Sequence, residues 1–377
     1  MGTYEYDKAF FRENGVAFLE LTSSDNLSRI LVVPAWQGRI MTSTSGGDKG
    51  RSYGWINYSL IESGKTDPQF NAYGGEERFW LGPEGGPYSI YFKKGDEQVF
   101  ENWVVPPLID TDGYDIAFSD ENSVRFTRDA RLENASGTRF ELGIERTVRL
   151  LSKTELSSFL GVNIPSGLQV VACESDNIIT NRGDQAWTKE GGLLSIWILS
   201  MFNPSSETTV FIPYNPDGEG VIVNDEYFGK VPADRLTIED NVIYFRADGK
   251  YRSKIGIPPG RATEFSGSYD PARQVLTLVW CSLPDEPRKY VNSNWGDQDD
   301  PYEGDVINSY NDGPLEDGSI MGPFYELETS SPALELLPSE SESHIQRIMH
   351  FEGEEFKLSA LVKALFDLDL KEITKKF

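Results

Sequence analysis

The sequence predicts an all-β protein, a large antiparallel β-sandwich with a C-terminal helix. Three observations predict it. Short apolar-rich runs bounded by Gly, Pro, Asp or Asn recur along the 377 residues, as strands between turns do. Several of them alternate. Phe140, Leu142, Ile144 and Arg146 fall on one side, Glu141, Gly143, Glu145 and Thr147 on the other, the period of a strand with one buried face. Helical periodicity is confined to the tail, and strands without interleaved helices pack sheet on sheet.

In chain order, the first strands are expected at 15–21 and 29–33, separated by the turn-like SSDNLS. Others follow at 89–92, 124–128, 140–150, 155–163, 168–174, 177–180, 193–202, 208–213, 242–246, 275–282, 324–327 and 344–351. From Gly353 on, Phe356, Leu358, Leu361, Val362, Leu365 and Phe366 repeat at helical spacing among lysines and acids, so the tail reads as an amphipathic helix. A terminal brace is its expected role, a partner-binding helix the alternative. No linker and no repeat of fixed period divides the chain. Residues 1–352 are therefore read as one sandwich, with 353–377 packed on it.

Hydrophobic residues make up 38% of the chain, enough for a large core. Sixty acidic residues against 35 basic ones leave a formal charge of −25. Such a chain repels phosphate backbones and anionic lipid, which excludes nucleic acid and membrane surfaces as expected partners. No run approaches the roughly 20 apolar residues of a membrane-spanning helix. The opening MGTYEYDKAFF has no basic segment before an apolar run and does not read as a signal peptide. The composition suits a periplasmic or cell-surface protein if a leader has been removed, and a cytoplasmic one otherwise. Two histidines, His344 and His350, and two cysteines, Cys173 and Cys281, exclude a multi-cysteine zinc site, an iron–sulfur cluster and a disulfide-dense scaffold. Acid–base chemistry must rest on carboxylates, tyrosines and lysines.

Familiar motifs fail. Ser63-Gly64-Lys65-Thr66 resembles the end of a phosphate loop, but Ser59 stands where that loop needs glycine. Three other segments carry the candidate chemistry. The first is GGEERFWLGPEGG, residues 74–86. Its glycines let the backbone approach a ligand closely. Glu76 and Glu84 are candidate acids, Arg78 a group for holding a carboxylate ionised or an anion in place, and Trp80 a face for a sugar ring. The second segment is the polar stretch 292–298 continuing to 304–314, with Trp295, Asp305, Asn308, Tyr310, Asn311 and Asp312. These side chains grip sugar hydroxyls or build turns, and they are also oxygen ligands for calcium, the one cofactor left open. The third is 324–332. In a strand, Glu326 and Glu328 share a face with Phe324, while Tyr325 and Leu327 face the other way. Paired carboxylates raise one another's proton affinity, which suits a general acid or base. Tyr325 is counted among the ligand contacts. The turn at 248–254 enters a basic strand whose lysines would neutralise nearby acids.

These segments carry a family resemblance. Val33 to Ile40, VPAWQGRI, resembles the early strand entry of galactose mutarotase-like proteins. The run at 74–86 resembles the glycine-rich, acid-bearing first site segment of that superfamily's uncharacterised bacterial branches. ELETSSPALELLPSESESHIQRIMHF, residues 326–351, is similar to its late strand pair. The resemblance implies a supersandwich with a concave saccharide-binding face, and makes Glu326 the nearest match to the family's late glutamate. Known mutarotases set a mid-chain histidine opposite that glutamate. Here no histidine precedes His344, so the resemblance does not carry ordinary aldose mutarotation over. The expected function is binding and processing of a saccharide or sugar acid by carboxylate acid–base chemistry, of epimerase, isomerase or lyase type. Glu326 or Glu328 would be the base and Glu76 or Glu84 the acid. A non-catalytic sugar-binding module is the alternative.

Overall fold

A computed structural model of the chain describes residues 2–315 and 317–377. Helix α1 (Tyr4–Glu13) comes first, followed by β1 (Leu19–Thr22), β2 (Arg29–Val33) and β3 (Arg39–Thr44), which form a small sheet. Then come α2 (Tyr58–Ser63), β4 (Arg78–Gly82), α3 (Pro107–Asp110), β5 (Asp115–Ser119), β6 (Ser123–Glu133), β7 (Arg139–Leu150), α4 (Lys153–Leu160) and β8 (Gln169–Asn181). The middle of the chain holds β9 (Ser195–Phe202), β10 (Thr209–Pro213), β11 (Leu236–Glu239), β12 (Val242–Arg246), β13 (Ser253–Ile257), β14 (Phe265–Asp270) and β15 (Val275–Cys281). It ends with β16 (Ile307–Asn311), β17 (Tyr325–Ser330), β18 (Ser341–Glu352), α5 (Glu355–Phe366) and α6 (Leu370–Thr374).

Ten strands make one sheet in the order β11-β12-β10-β14-β15-β18-β8-β7-β6-β5, and five make a second, β13-β16-β17-β9-β4. Neighbouring strands run antiparallel. The two sheets bury a common core. Phe79, Ile196, Ile198, Ile255 and Leu327 of the smaller sheet meet Phe126, Ile144, Val279 and Ile348 of the larger. A second apolar layer lies on the other side of the large sheet, where Phe211, Tyr244, Met349 and Phe351 are covered by Leu358, Leu361 and Val362 of α5 and Leu370 and Ile373 of α6. The tail is thus helical and packed, though Phe356 points to solvent at 67% exposure.

The alternation in β7 reaches the structure with one polar residue inside. Arg146 is fully buried and pairs with Glu77, which also accepts from Gln346. Gln346 accepts in turn from Thr329, whose hydroxyl meets His344 at 2.8 Å. Burial pushes His344 down to about 3, so the imidazole is neutral and structural. Both cysteines are free and buried.

Several expected elements differ. Residues 155–163 are not a strand: α4 occupies 153–160, held by a capping box in which Ser152 and Glu155 exchange side-chain and backbone bonds. Residues 89–92 form a buried loop, because Tyr91 spends its hydroxyl on the Leu81 carbonyl and its ring on Trp103. The runs at 168–174 and 177–180 are one long strand, β8. The tail is not the sole helical region, since α1 and α4 also form, each with a side-chain N-cap.

Candidate functional site

The outer face of the five-stranded sheet, turned away from the core, carries a row of polar and aromatic side chains. Residues directly opposite in a ladder share a face. Glu328 lies opposite Asn308 on one side and Leu199 on the other; Glu326 lies opposite Tyr310 and Met201. Lys254 is opposite Tyr310, Arg78 opposite Leu199, and Trp80 opposite Trp197. Period two along five strands therefore brings Glu326, Glu328, Arg78, Trp80, Asn308, Tyr310, Lys254 and Trp197 to one surface.

That surface is covered. The Glu328, Arg78 and Glu326 side chains are only 1%, 4% and 8% exposed. Loop segments bring in half-buried Glu84 and Tyr227, and buried Asp305 and Trp103. Arg78 pairs directly with Glu326 and lies over the Trp80 ring at 5.1 Å. Lys254 Nζ donates to Glu328 Oε2 at 2.9 Å, and Trp197 Nε1 donates to the same oxygen at 3.0 Å. The ammonium also sits over the Trp197 and Tyr227 rings, 5.0 and 5.5 Å from their centroids. Asp305 accepts from Tyr227 and from Asn224 Nδ2, while Asn308 Nδ2 donates to the Tyr227 hydroxyl at 3.1 Å.

Burial governs the acidities. It pushes Glu84 up to about 7; Lys254 pulls it back and Glu328 pushes it further. Burial likewise raises Glu326 to about 7, against the pull of Arg78 and with the repulsion of Glu328. Asp305 rises to about 6, burial outweighing the bonds from Tyr227 and Asn224. For Lys254 burial works against the charge, but Glu328, Glu84 and Glu326 outweigh it and hold the ammonium above the ordinary lysine range. Acids protonated near neutrality beside a fixed cation are characteristic of functional clefts. Among the described residues, the buried Glu328 Oε1, Trp80 Nε1 and Arg78 Nε here have no hydrogen-bond partner in the protein. A buried polar atom left so costs about 1–3 kcal/mol, which a bound polar molecule would offset.

The glycines of 74–86 have a local reason. Gly86 holds a left-handed φ of 75°, and a Cβ on Gly85 would strike the backbone at Asn294. Glu84 is thereby locked to the 292–298 loop, its N–H donating to Ser293 Oγ at 3.2 Å.

Of the residues expected from sequence, Glu326, Glu328, Glu84, Arg78, Trp80, Trp295, Asp305, Asn308 and Tyr310 stand together, with Asp312 at the edge bonded to the Tyr310 hydroxyl. Three do not belong. Glu76 points the other way, accepting from Ser43 and facing His350 at 3.1 Å, because the chain has not yet entered β4 at that point. Tyr325 faces the core, where its hydroxyl meets Ser268, as alternation with Glu326 requires. Asn311 also faces inward and supports the turn at 248–251 through Gly249 N–H and the Tyr251 carbonyl. Lys254, Trp197, Tyr227 and Trp103 join the site although the sequence does not mark them as site residues; only Lys254 carries a signal, as a lysine in the basic strand after 248. The cavity of about 440 Å³ lies elsewhere, between Arg51, Tyr53, Arg273, Tyr325 and His350. Asp270 and Glu352 line it, but Glu84, Glu326 and Glu328 do not, and their convergence locates the candidate site on the outer sheet face instead. Among the described residues no group of three His, Cys, Asp or Glu is placed to hold a metal ion.

Comparison with solved structures agrees with this architecture. A protein from Synechocystis sp. PCC 6803 matches with a TM-score of 0.56 at 13% identity, covering 89% of this chain and 96% of its own. A galactose mutarotase-like protein from Lactobacillus casei matches at 0.52 and 10% identity, covering 89% and 100%. A galactose mutarotase related enzyme from Lactobacillus acidophilus matches at 0.50 and 8%, covering 89% and 98%. The fold is galactose mutarotase-like. No curated protein matches the sequence. The model of a family of unknown function, DUF6786, matches residues 2–377.

Proposed function

We propose that this chain, which belongs to DUF6786, is an enzyme that binds a neutral saccharide on the outer face of its five-stranded sheet and relays protons between two carboxyl groups. The observation that carries this reading is the contrast between Glu84 and Glu328. Glu84, at about 7, retains its proton near neutrality and can donate it. Glu328 is anchored through Oε2 by Lys254 and Trp197, and its buried Oε1 remains available to accept a hydroxyl proton. The simplest reaction is anomer interconversion. Glu328 takes the proton of the anomeric hydroxyl while Glu84 protonates the ring oxygen. The bond from that oxygen to the anomeric carbon breaks as the carbonyl forms. Rotation and reclosure with the roles reversed return both protons, and no co-reactant is consumed. Glu84 thus takes the part that mutarotases give to a histidine. Arg78 and Lys254 each already hold a carboxylate, so the site offers no surplus positive charge for a sugar acid.

The second reading, a non-catalytic sugar-binding module, draws on the fixed donors that hold Glu326, Glu328 and Asp305. In it the acids only orient hydroxyls.

Anomer exchange of a saccharide that binds, followed by magnetisation transfer, separates the two. Glu328→Gln should slow exchange by at least about 100-fold with the melting temperature kept. Glu84→Gln should do the same, and the wild-type rate should fall above pH 7 as Glu84 loses its proton. Undiminished exchange in Glu328→Gln would overturn the assignment, and binding with no exchange in the wild type would leave the module.

A further inference from the structure

From Glu84 a row of aromatic rings leads out to solvent. Trp103 and Trp295 stand close enough to the Glu84 carboxyl to favour its charged form. The Trp103 and Trp295 rings are stacked 6.2 Å apart at 28°, and Phe100 stacks on Trp103 at 6.0 Å and 19°. Trp103, the ring in contact with both others, is buried, while Trp295 is 36% exposed and Phe100 62%.

Single exposed apolar side chains are ordinary. These differ in being held rigidly to the acid. Gln98 Oε1 accepts from Gly86 N–H at 2.9 Å and from Gly296 N–H at 2.7 Å, and its Nε2 donates to the Gly86 carbonyl at 2.7 Å. Gln298 Nε2 ties the loop to itself through the Asn292 and Asn294 carbonyls at 3.0 and 2.6 Å. Phe92 packs edge-on against Trp295, 5.1 Å away. Glu84 and the two open rings therefore form one preorganised body, which lowers the entropy lost when a ligand stacks on it.

We infer that the ligand is a saccharide of at least two linked units, one over Glu84 and Glu328 and the next stacked on Trp295 and Phe100. This rests on the saccharide reading above. It adds a chemical constraint: the reacting unit keeps its anomeric hydroxyl free, so the stacked unit is joined through another of its hydroxyls. A flat ring accepts the C–H face of a pyranose.

The test is titration calorimetry with glucose, galactose, mannose and xylose, each against its linear di- and trisaccharides. The expected result is an affinity at least about 10-fold higher for the oligosaccharide of the accepted sugar, a gain near 1.4 kcal/mol. Phe100→Ala should lose most of that gain and keep monosaccharide affinity, which also shows that it folds. Equal affinity for monomer and oligomer, or a gain that survives intact in Phe100→Ala, would overturn this inference alone. No binding of any sugar by the wild type would bring down the saccharide reading and this inference with it.

Discussion

Glu84 and Glu326 share a consequence that can be measured without a substrate. Both are raised by burial to about 7, whereas in the unfolded chain they titrate near an ordinary glutamate's 4.5. The folded state therefore binds more protons than the unfolded one around neutrality, and stability rises as pH falls. His344 works in the opposite sense, but only below its ordinary 6.5, where the unfolded imidazole begins to charge while the folded one, at about 3, does not. The clean window is pH 8 to 6.5. We expect the melting temperature to increase on going from pH 8 to 6.5, and the increase to shrink in Glu84→Gln. Relief of the general repulsion in a chain of charge −25 contributes equally to both proteins, so the difference between them isolates Glu84. A wild-type melting temperature that falls over this window would contradict the burial of these acids.

At the scale of elements, period two did most of the positioning. It set Glu326 and Glu328 on one face of β17, and the same alternation sends Tyr325 and Asn311 inward. The helix α4 shows where apolar content misleads. Leu156, Phe159 and Leu160 suit a strand as readily as a short helix. The deciding signal was local: Ser152-Lys153-Thr154-Glu155 has the S-x-x-E spacing of a capping box, and the structure forms both of its bonds. Ser152→Ala should cost about 1 kcal/mol, read as a lower midpoint in urea with an unchanged slope. No change would mean that packing of Leu156 alone holds the helix.

At the scale of the whole molecule, the tail is part of the folding unit. Helices α5 and α6 cover the outer apolar side of the ten-stranded sheet over Phe211, Tyr244, Met349 and Phe351. Removing residues 354–377 should leave that patch in water and lower the melting temperature, with self-association seen by light scattering. Leu361→Ala, a milder probe, should cost about 2–5 kcal/mol. A truncated chain as stable and monodisperse as the full one would show that the sheet does not need this cover.

The sequence by itself determined the fold class, the helical tail, the absence of a histidine before 344 and the sidedness of the late glutamates, because these follow from composition and from a period that any extended strand obeys. It also marked most of the acids and aromatics that meet. Tertiary structure alone decided which of them face one another. Lys254 reaches Glu328 because β13, β16 and β17 are neighbours in the sheet, although 74 positions separate the two residues in the chain. Glu76 and Glu84 look alike in one glycine-rich run, but one lies before β4 and the other beyond it, and so their side chains meet different neighbours. Strand order and burial arise from packing between distant segments, and these decide what surrounds two acids of the same residue type.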